Sequence, residues 1–295
     1  DYLKKANISV MGCPICKSKN ILFSQKIKDY EYDINNVATY KKCNSCKCIY
    51  RSSPNILTKK LEKKYYSKKK YLPIKGNFLY DILKNFYSFY YIQNIFKILD
   101  KKVLKKNLNI LDIACGKGYL IKNFSKNHNF KCIGIDSNIL PYKKNNLRLI
   151  NASFKNIKLI KKLNPDIIIM NNFIEHIENI KIVHKIILKM KKNSYLIIIT
   201  PDSDSLGRKV FKSFWSGYHS PRHKIIYNSQ SIKQLIKNIS GVKYKAVKIY
   251  DPFSNIVSIK NIYKEISLKT FANNATKIII SLFFVFSDLL NKNRI

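Results

Sequence analysis

The middle of the chain is patterned as short apolar runs that close on polar or acidic residues. Asn109-Ile110-Leu111 ends in Asp112, then come small residues and two glycines, then a helical pattern from Tyr119. That order is how a buried parallel strand delivers its C-terminal end into a tight turn and a helix N-terminus. Runs at Lys131–Asp136, Leu149–Phe154, Asp166–Met170 and Tyr195–Ile199 predict further strands. Apolar residues at helical spacing (Ile82, Phe86, Phe89, Tyr90, Ile95, Phe96, Leu99, Val103) predict one or two helices before the first strand, with core packing accounting for their aromatics. A helix is predicted over Ile180–Met190. Ile225–Tyr227 reads as a strand, the stretch from Ser231 to Ile236 as a helix, and Val242–Tyr250 as a sixth strand of the sheet. The tail turns helical, with an apolar run at Ile278–Phe286.

Gly116 and Gly118 remove side chains where a ligand must approach the backbone. Asp136 follows Gly116 by 20 residues, which places an acid at the end of the neighbouring strand, where it can accept hydrogen bonds from both hydroxyls of a ribose. The G-x-G-x-x-G pattern of dinucleotide enzymes is absent.

Near the N-terminus, Cys13-Pro14-Ile15-Cys16 and Cys43-Asn44-Ser45-Cys46 form two C-x2-C knuckles separated by 26 residues. Cys13, Cys16, Cys43 and Cys46 supply four thiolates for a tetrahedral zinc, and four cysteines leave no open position for catalysis, so the expected role is structural. Ile21–Phe23 and Val37–Tyr40 read as strands of the ribbon. Cys48 reads as a packed residue rather than a fifth ligand. The Lys/Tyr-rich stretch with Tyr65, Tyr66 and Tyr71 reads first as a solvated linker helix, with a nucleic-acid face as the alternative.

Composition changes this picture little. A net charge of +39 on 295 residues would point to nucleic acid or an anionic membrane. Lysine is spread in pairs over nearly every segment, however, alongside Ile, Asn, Tyr and Phe, the residues of A/T-rich codons. A compositional bias accounts for the charge as well as an RNA partner does. No hydrophobic signal region occurs at the N-terminus, so a cytoplasmic, reducing setting is expected, and the seven cysteines read as metal ligands or packed residues. The first residue is Asp, so the sequence is expected to begin inside a longer reading frame, with Met11 an alternative start. The Ile278–Phe286 run is about half the ~20 residues that span a bilayer. It predicts a packed C-terminal helix, with peripheral membrane contact as the alternative.

Leu111-Asp112 leading into Gly116-x-Gly118, with Asp136 after it, resembles the first motif of class I S-adenosylmethionine-dependent methyltransferases; Ala114 stands where that family usually has glycine. Glu175-His176 after the fourth strand resembles the fourth motif of its small-molecule members. Phe214–His223, ending Pro-Arg-His before a strand and a helix, is similar to the family's segment over the crevice. The order of zinc ribbon, aromatic exit strand, proline and paired tyrosines resembles a bacterial subgroup that carries an N-terminal zinc ribbon, some of whose members methylate sugars or other metabolites. The resemblance covers residues 13 to about 250.

It implies a Rossmann-like, doubly wound, mostly parallel α/β sheet with a small zinc ribbon and a helical C-terminal tail. The implied division is 1–56 ribbon, 57–104 helical linker or cover, 105–250 cofactor-binding core and 251–295 C-terminal segment. S-adenosylmethionine is the implied cofactor, held by Asp112, Ala114, Gly116, Gly118, Asp136, Ser153, Phe154 and Asn171. His176, Tyr218, His219 and His223 are the candidate acceptor-side catalytic residues, with Trp215 and Arg222 binding the acceptor. The implied acceptor is a small molecule or sugar. An RNA methyltransferase, against which Glu175-His176 argues, and a non-catalytic zinc-ribbon RNA-binding protein are the alternatives. The family's usual antiparallel seventh strand has no counterpart after Leu290, so it is expected to be missing and the chain truncated.

Overall fold

The computed structural model describes residues 12–32, 36–52, 65, 78–99, 101–104, 107–249 and 251–266. The predicted features at Pro54, Tyr66, Tyr71 and Ile278–Phe286 lie outside these. The chain divides into two compact units, one of residues 1–62 with 201–295 and the other of residues 63–200.

In the first unit, β1 (Ile21–Lys28) and β2 (Val37–Cys43) form an antiparallel pair, and β3 (Ile49–Arg51) adds to β2. The fourth strand is Ile225–Ile226, far along the chain, antiparallel to β3 with Ile226 opposite Ile49. Alternation decides the inner face: Ala38 and Tyr40 of β2 point inward with Ile27 and Ile49. Phe211, Trp215, Tyr218, Ile226 and Ile259 complete this core, the last from the helix Pro252–Ile266. Residues 201–266 therefore build the ribbon's core as much as its own strands do.

The second unit is a six-stranded sheet. Its strands are β4 (Leu108–Ile113), β5 (Phe130–Asp136), β6 (Tyr142–Lys144), β7 (Leu147–Asn151), β8 (Ile167–Asn171) and β9 (Tyr195–Ile199), in the order β6-β7-β5-β4-β8-β9. All neighbours pair in parallel except β6, which pairs antiparallel with β7. The expected Rossmann-like, mostly parallel sheet is present. Its central strands are near-continuous aliphatic runs because both faces are covered. Chain order reverses between β5 and β8 across β4, and crevices at such switch points take ligands outside the strand C-termini.

Two expectations are corrected. Residues 242–249 form no strand: most of them are exposed, so neither face offers an apolar row to bury. On the helix Phe78–Ile98, the predicted apolar positions Ile82, Phe86 and Phe89 are exposed. Tyr91, Ile92 and Ile95, with Leu99 just beyond, are buried instead, and Phe96 packs edge-on at 5.7 Å from Phe124. Among the described residues, no helix is long and apolar enough to cross a membrane.

Trp215, the only tryptophan, lies in the ribbon unit's core, so its fluorescence reports that unit. A Cβ at Gly217 would fall 2.2 Å from the Trp215 ring. Gly217→Ala is expected to lower the stability read by Trp215 fluorescence in urea by about 3 kcal/mol, the upper range for overpacking; an unchanged midpoint would contradict this packing.

Candidate functional site

The glycine turn after β4 has the geometry its sequence requires. Ala114, Gly116 and Gly118 have φ of 57°, 56° and 76°, all in the left-handed region. Alanine at 114 meets that demand at a steric cost that glycine would avoid. A Cβ on Gly116 would meet nothing within 4 Å, so the turn borders open space. Asp136 is aimed at the turn: its Oδ2 accepts from the Gly116 N–H at 3.0 Å, and its Oδ1 accepts from the Asn138 N–H at 2.8 Å. The Cys115 N–H donates to the Ile135 carbonyl at 3.1 Å, fastening the turn to β5.

Asp112 is buried near the end of β4. Burial, reinforced by the Asp136 carboxylate, pushes its carboxyl up to about 8. At the end of β8, the Asn171 Oδ1 is buried with no hydrogen-bond partner among the described residues. Ser153 and Phe154 follow β7; the Ser153 Oγ accepts from the Lys155 N–H, and Phe154 meets Phe173 edge-to-face at 4.8 Å. β7 and β8 are separated by β5 and β4, so this aromatic contact closes over the C-terminal ends of those strands.

An anionic lobe, an orphaned amide oxygen and open space over a left-handed turn fit S-adenosylmethionine, a cationic nucleoside. His176 lies in a short 3-10 turn after β8. Glu175, fully buried, accepts from the Thr200 Oγ1 at 2.9 Å and so braces the ends of β8 and β9. The following helix, Lys181–Ile187, has no side-chain cap.

Sequence reasoning missed two residues here. Gly134 lies in mid-strand where a Cβ would be 2.7 Å from the Cys115 Sγ, and a glycine inside a strand run was the available signal. Phe173 carried no signal apart from its place after the strand.

The acceptor-side candidates Trp215, Tyr218, His219, Arg222 and His223 cluster in the ribbon unit. Tyr218 is a core residue, 5.2 Å from the Tyr40 ring, and burial raises its phenol above the ordinary range. The His219 Nδ1 contacts the Glu31 Oε2 at 2.5 Å, and its Nε2 contacts the Arg222 Nη1 at 2.6 Å. Arg222 also reaches the Tyr32 hydroxyl and lies 5.1 Å from that ring's centre. His223 directs Nδ1 at the Gly217 carbonyl, 2.8 Å away, so Nδ1 carries the proton and Nε2 is the basic nitrogen of the neutral ring. Glu31 and Tyr32 were not foreseen, because only tertiary contact brings them to this loop.

The four knuckle thiols lie within 4.8 Å of one another, with Cys13–Cys46 and Cys16–Cys43 both at 3.5 Å. The two knuckles repeat one geometry. The N–H of the first cysteine donates to a carbonyl five residues on, and its own carbonyl accepts from the fourth residue after it. That residue, Lys17 or Lys47, is left-handed. Hydrogen bonds from Cys46 and Cys48 hold the Cys13 thiol far below the ordinary range, while the Cys13 sulfur pushes the Cys46 thiol up and burial pushes up that of Cys16.

A family model described as a methyltransferase domain matches residues 82–239. The chain is 27% identical over 296 residues to the protein Ycf2 of Physcomitrium patens, covering 89% of this chain and 12% of that protein. It is 26% identical over 204 residues to the uncharacterized protein MJ0638 of Methanocaldococcus jannaschii, covering 68% of this chain and 89% of that one. The chain thus spans only a small part of Ycf2. Among solved structures, it is similar to the MycE methyltransferase of the mycinamycin biosynthetic pathway, solved with Mg and SAH, with a TM-score of 0.30, 11% identity, and coverage of 52% of this chain and 54% of that one. The family model takes in the whole described sheet, with its glycine turn, and the histidine loop; this chain belongs to the methyltransferase domain family.

Proposed function

We propose that the chain transfers the methyl group of S-adenosylmethionine to a small-molecule or sugar-type acceptor, with a structural zinc in the ribbon. The observation that carries this reading is the turn at Gly116, open above its backbone and hydrogen-bonded to the Asp136 carboxylate. When bound, the cofactor supplies an electrophilic methyl on a sulfonium, so the chain's own work is positioning and proton management. Asp136 would hold the ribose hydroxyls, and the Asn171 Oδ1 would accept from a cationic N–H. Asp112 would place a negative charge near the cation. His223, with Nδ1 fixed on the Gly217 carbonyl, would take a proton at Nε2 from an acceptor hydroxyl, amine or activated carbon. His219 and Arg222 would bind a polar or anionic part of the acceptor. A reducing compartment suits the unpaired thiols.

The net charge of +39 favours a second reading, in which RNA is the acceptor. Binding to RNA would then weaken steeply between low and physiological salt; weak binding that barely responds to salt would remove this reading.

Labelled methyl from S-adenosylmethionine should enter the small-molecule or glycan fraction of a host extract. Asp136→Ala should lower cofactor affinity about 100-fold, or ~3 kcal/mol, the scale of two charge-assisted hydrogen bonds. Transfer at the unaltered rate by that variant would sink the assignment of the crevice.

The buried Asp112 gives a pH signature. Its folded-state value of about 8 lies above the ordinary 3.8. The stability this group contributes to the empty protein is therefore present below pH ~4 and lost as pH rises towards 8. A cationic cofactor favours the carboxylate form, so calorimetric affinity should rise from pH 6 to 8, by at most about tenfold per unit for one proton, and then level off. Asp112→Asn should abolish that rise while keeping any dependence due to the cofactor's own amine. An identical slope in the variant would show that Asp112 does not face the cation.

A further inference from the structure

We propose that the β9 edge of the sheet unit is a docking surface for a second copy of this chain, the two β9 strands pairing antiparallel about a twofold axis into one continuous sheet.

β9 ends the sheet order on one side, and among the described residues no strand lies beyond it. Its register with β8 fixes which backbone groups are already used. The Tyr195 N–H donates to the Asp166 carbonyl, and the Ile199 carbonyl accepts from the Asn172 N–H, both at 2.8 Å. In a parallel pair alternate residues direct their backbone groups at the neighbour, so Tyr195, Ile197 and Ile199 serve β8. Leu196 and Ile198 therefore direct their N–H and C=O groups outward. The side chains show the same opening: Leu196–Ile199 are half-buried, whereas Ile167–Met170 of β8 are buried.

Charge decides the occupant. Two copies that each carry a net charge of +39 meet most easily where neither presents a lysine. Among the other edge strands, β1 carries Lys26 and Lys28, and β6 is Tyr142-Lys143-Lys144; lysines on an edge oppose pairing with another chain. The strand Ile225–Ile226 is only two residues long and follows Lys224. β9 reads Tyr-Leu-Ile-Ile-Ile and has no charged side chain. A polyanion would favour the lysine-bearing edges instead.

The edge is also complementary to itself. With Ile197 opposite the partner's Ile197, Leu196 faces the partner's Ile198 on each side of the axis. Those are hydrogen-bonded pairs, so the outward N–H groups of Leu196 and Ile198 in both copies find carbonyls, and apolar side chains of matching faces meet. A seam this short makes a reversible dimer. It would clamp the strand whose next residue, Thr200, bonds Glu175.

Sedimentation equilibrium of the full, nuclease-treated chain should show a concentration-dependent dimer. It should tighten as salt rises, because screening weakens repulsion between the copies; RNA binding responds to salt with the opposite sign. Ile198→Pro removes one outward donor per copy and no bond to β8. It should weaken dimerisation about 30-fold, the scale of the two hydrogen bonds lost across the axis, with far-UV circular dichroism unchanged. A dimer that this variant leaves intact would place the contact elsewhere and overturn the proposal, as would an unaltered chain that stays monomeric at every concentration. Should Ile198→Pro not fold, amide hydrogen exchange on the unaltered chain decides. Leu196 and Ile198 amides that gain protection as concentration rises support the pairing. Full protection already in the monomer means that the chain covers its own edge, and fast exchange at all concentrations means that nothing covers it; either result overturns the proposal.

Discussion

Two carboxyl groups at the ends of adjacent parallel strands govern the sheet unit. Asp112 and Asp136 approach the same turn from β4 and β5, and in a buried setting both cannot carry charge without support. Asp136 receives it, from the N–H groups of Gly116 and Asn138. Asp112 has no comparable donors among the described residues, and burial with the Asp136 charge pushes it up to about 8. The left-handed turn is what lets the Gly116 N–H reach Asp136, and Gly134 is what lets Cys115 pack beneath it. A cation entering above the turn would lower the cost of ionising Asp112.

The parts of this unit that were legible in the sequence are those whose burial is settled locally. β4, β5, β8 and β9 read as strands because a strand covered on both faces is aliphatic at nearly every position. β7 read as a strand from Leu149, but β6 did not, because Tyr142, Lys143 and Lys144 are all exposed and β6 exists only through the edge that β7 offers. Residues 242–249 failed in the opposite sense: a similar Lys/Tyr/Val alternation finds no edge to join. On the helix Phe78–Ile98, aromatics occur around the cylinder, so spacing alone could not choose the buried face.

The candidate site divides along the same line. The glycines, the acid 20 residues on and the knuckle cysteines are covalently spaced signals, and each appears where its spacing put it. Gly134, Phe173, Glu31 and Tyr32 act through tertiary contact and left no periodic trace. The joining of residues 201–266 to the ribbon was likewise invisible: Ile225–Tyr227 read as a strand, but nothing in its sequence names the edge of β3 as its partner.

That joining gives the ribbon a physical role in holding the histidine loop. His219 has φ of 39°, a left-handed conformation that a non-glycine residue keeps only when its surroundings over-determine it. All three ribbon strands supply the constraint. The Tyr40 hydroxyl of β2 donates to the His223 carbonyl at 2.8 Å, Arg51 of β3 to the Pro221 carbonyl at 2.6 Å, and the Ser220 Oγ to the Ile27 carbonyl of β1 at 3.0 Å. A loop that must present two histidines and an arginine in fixed register would otherwise lose that register to chain entropy. The knuckles pin one end of the strands that hold it. Knuckle, strand and histidine loop therefore form one mechanical chain, in which the fold of the cysteine knuckles acts on the placement of the histidines through the strands between them.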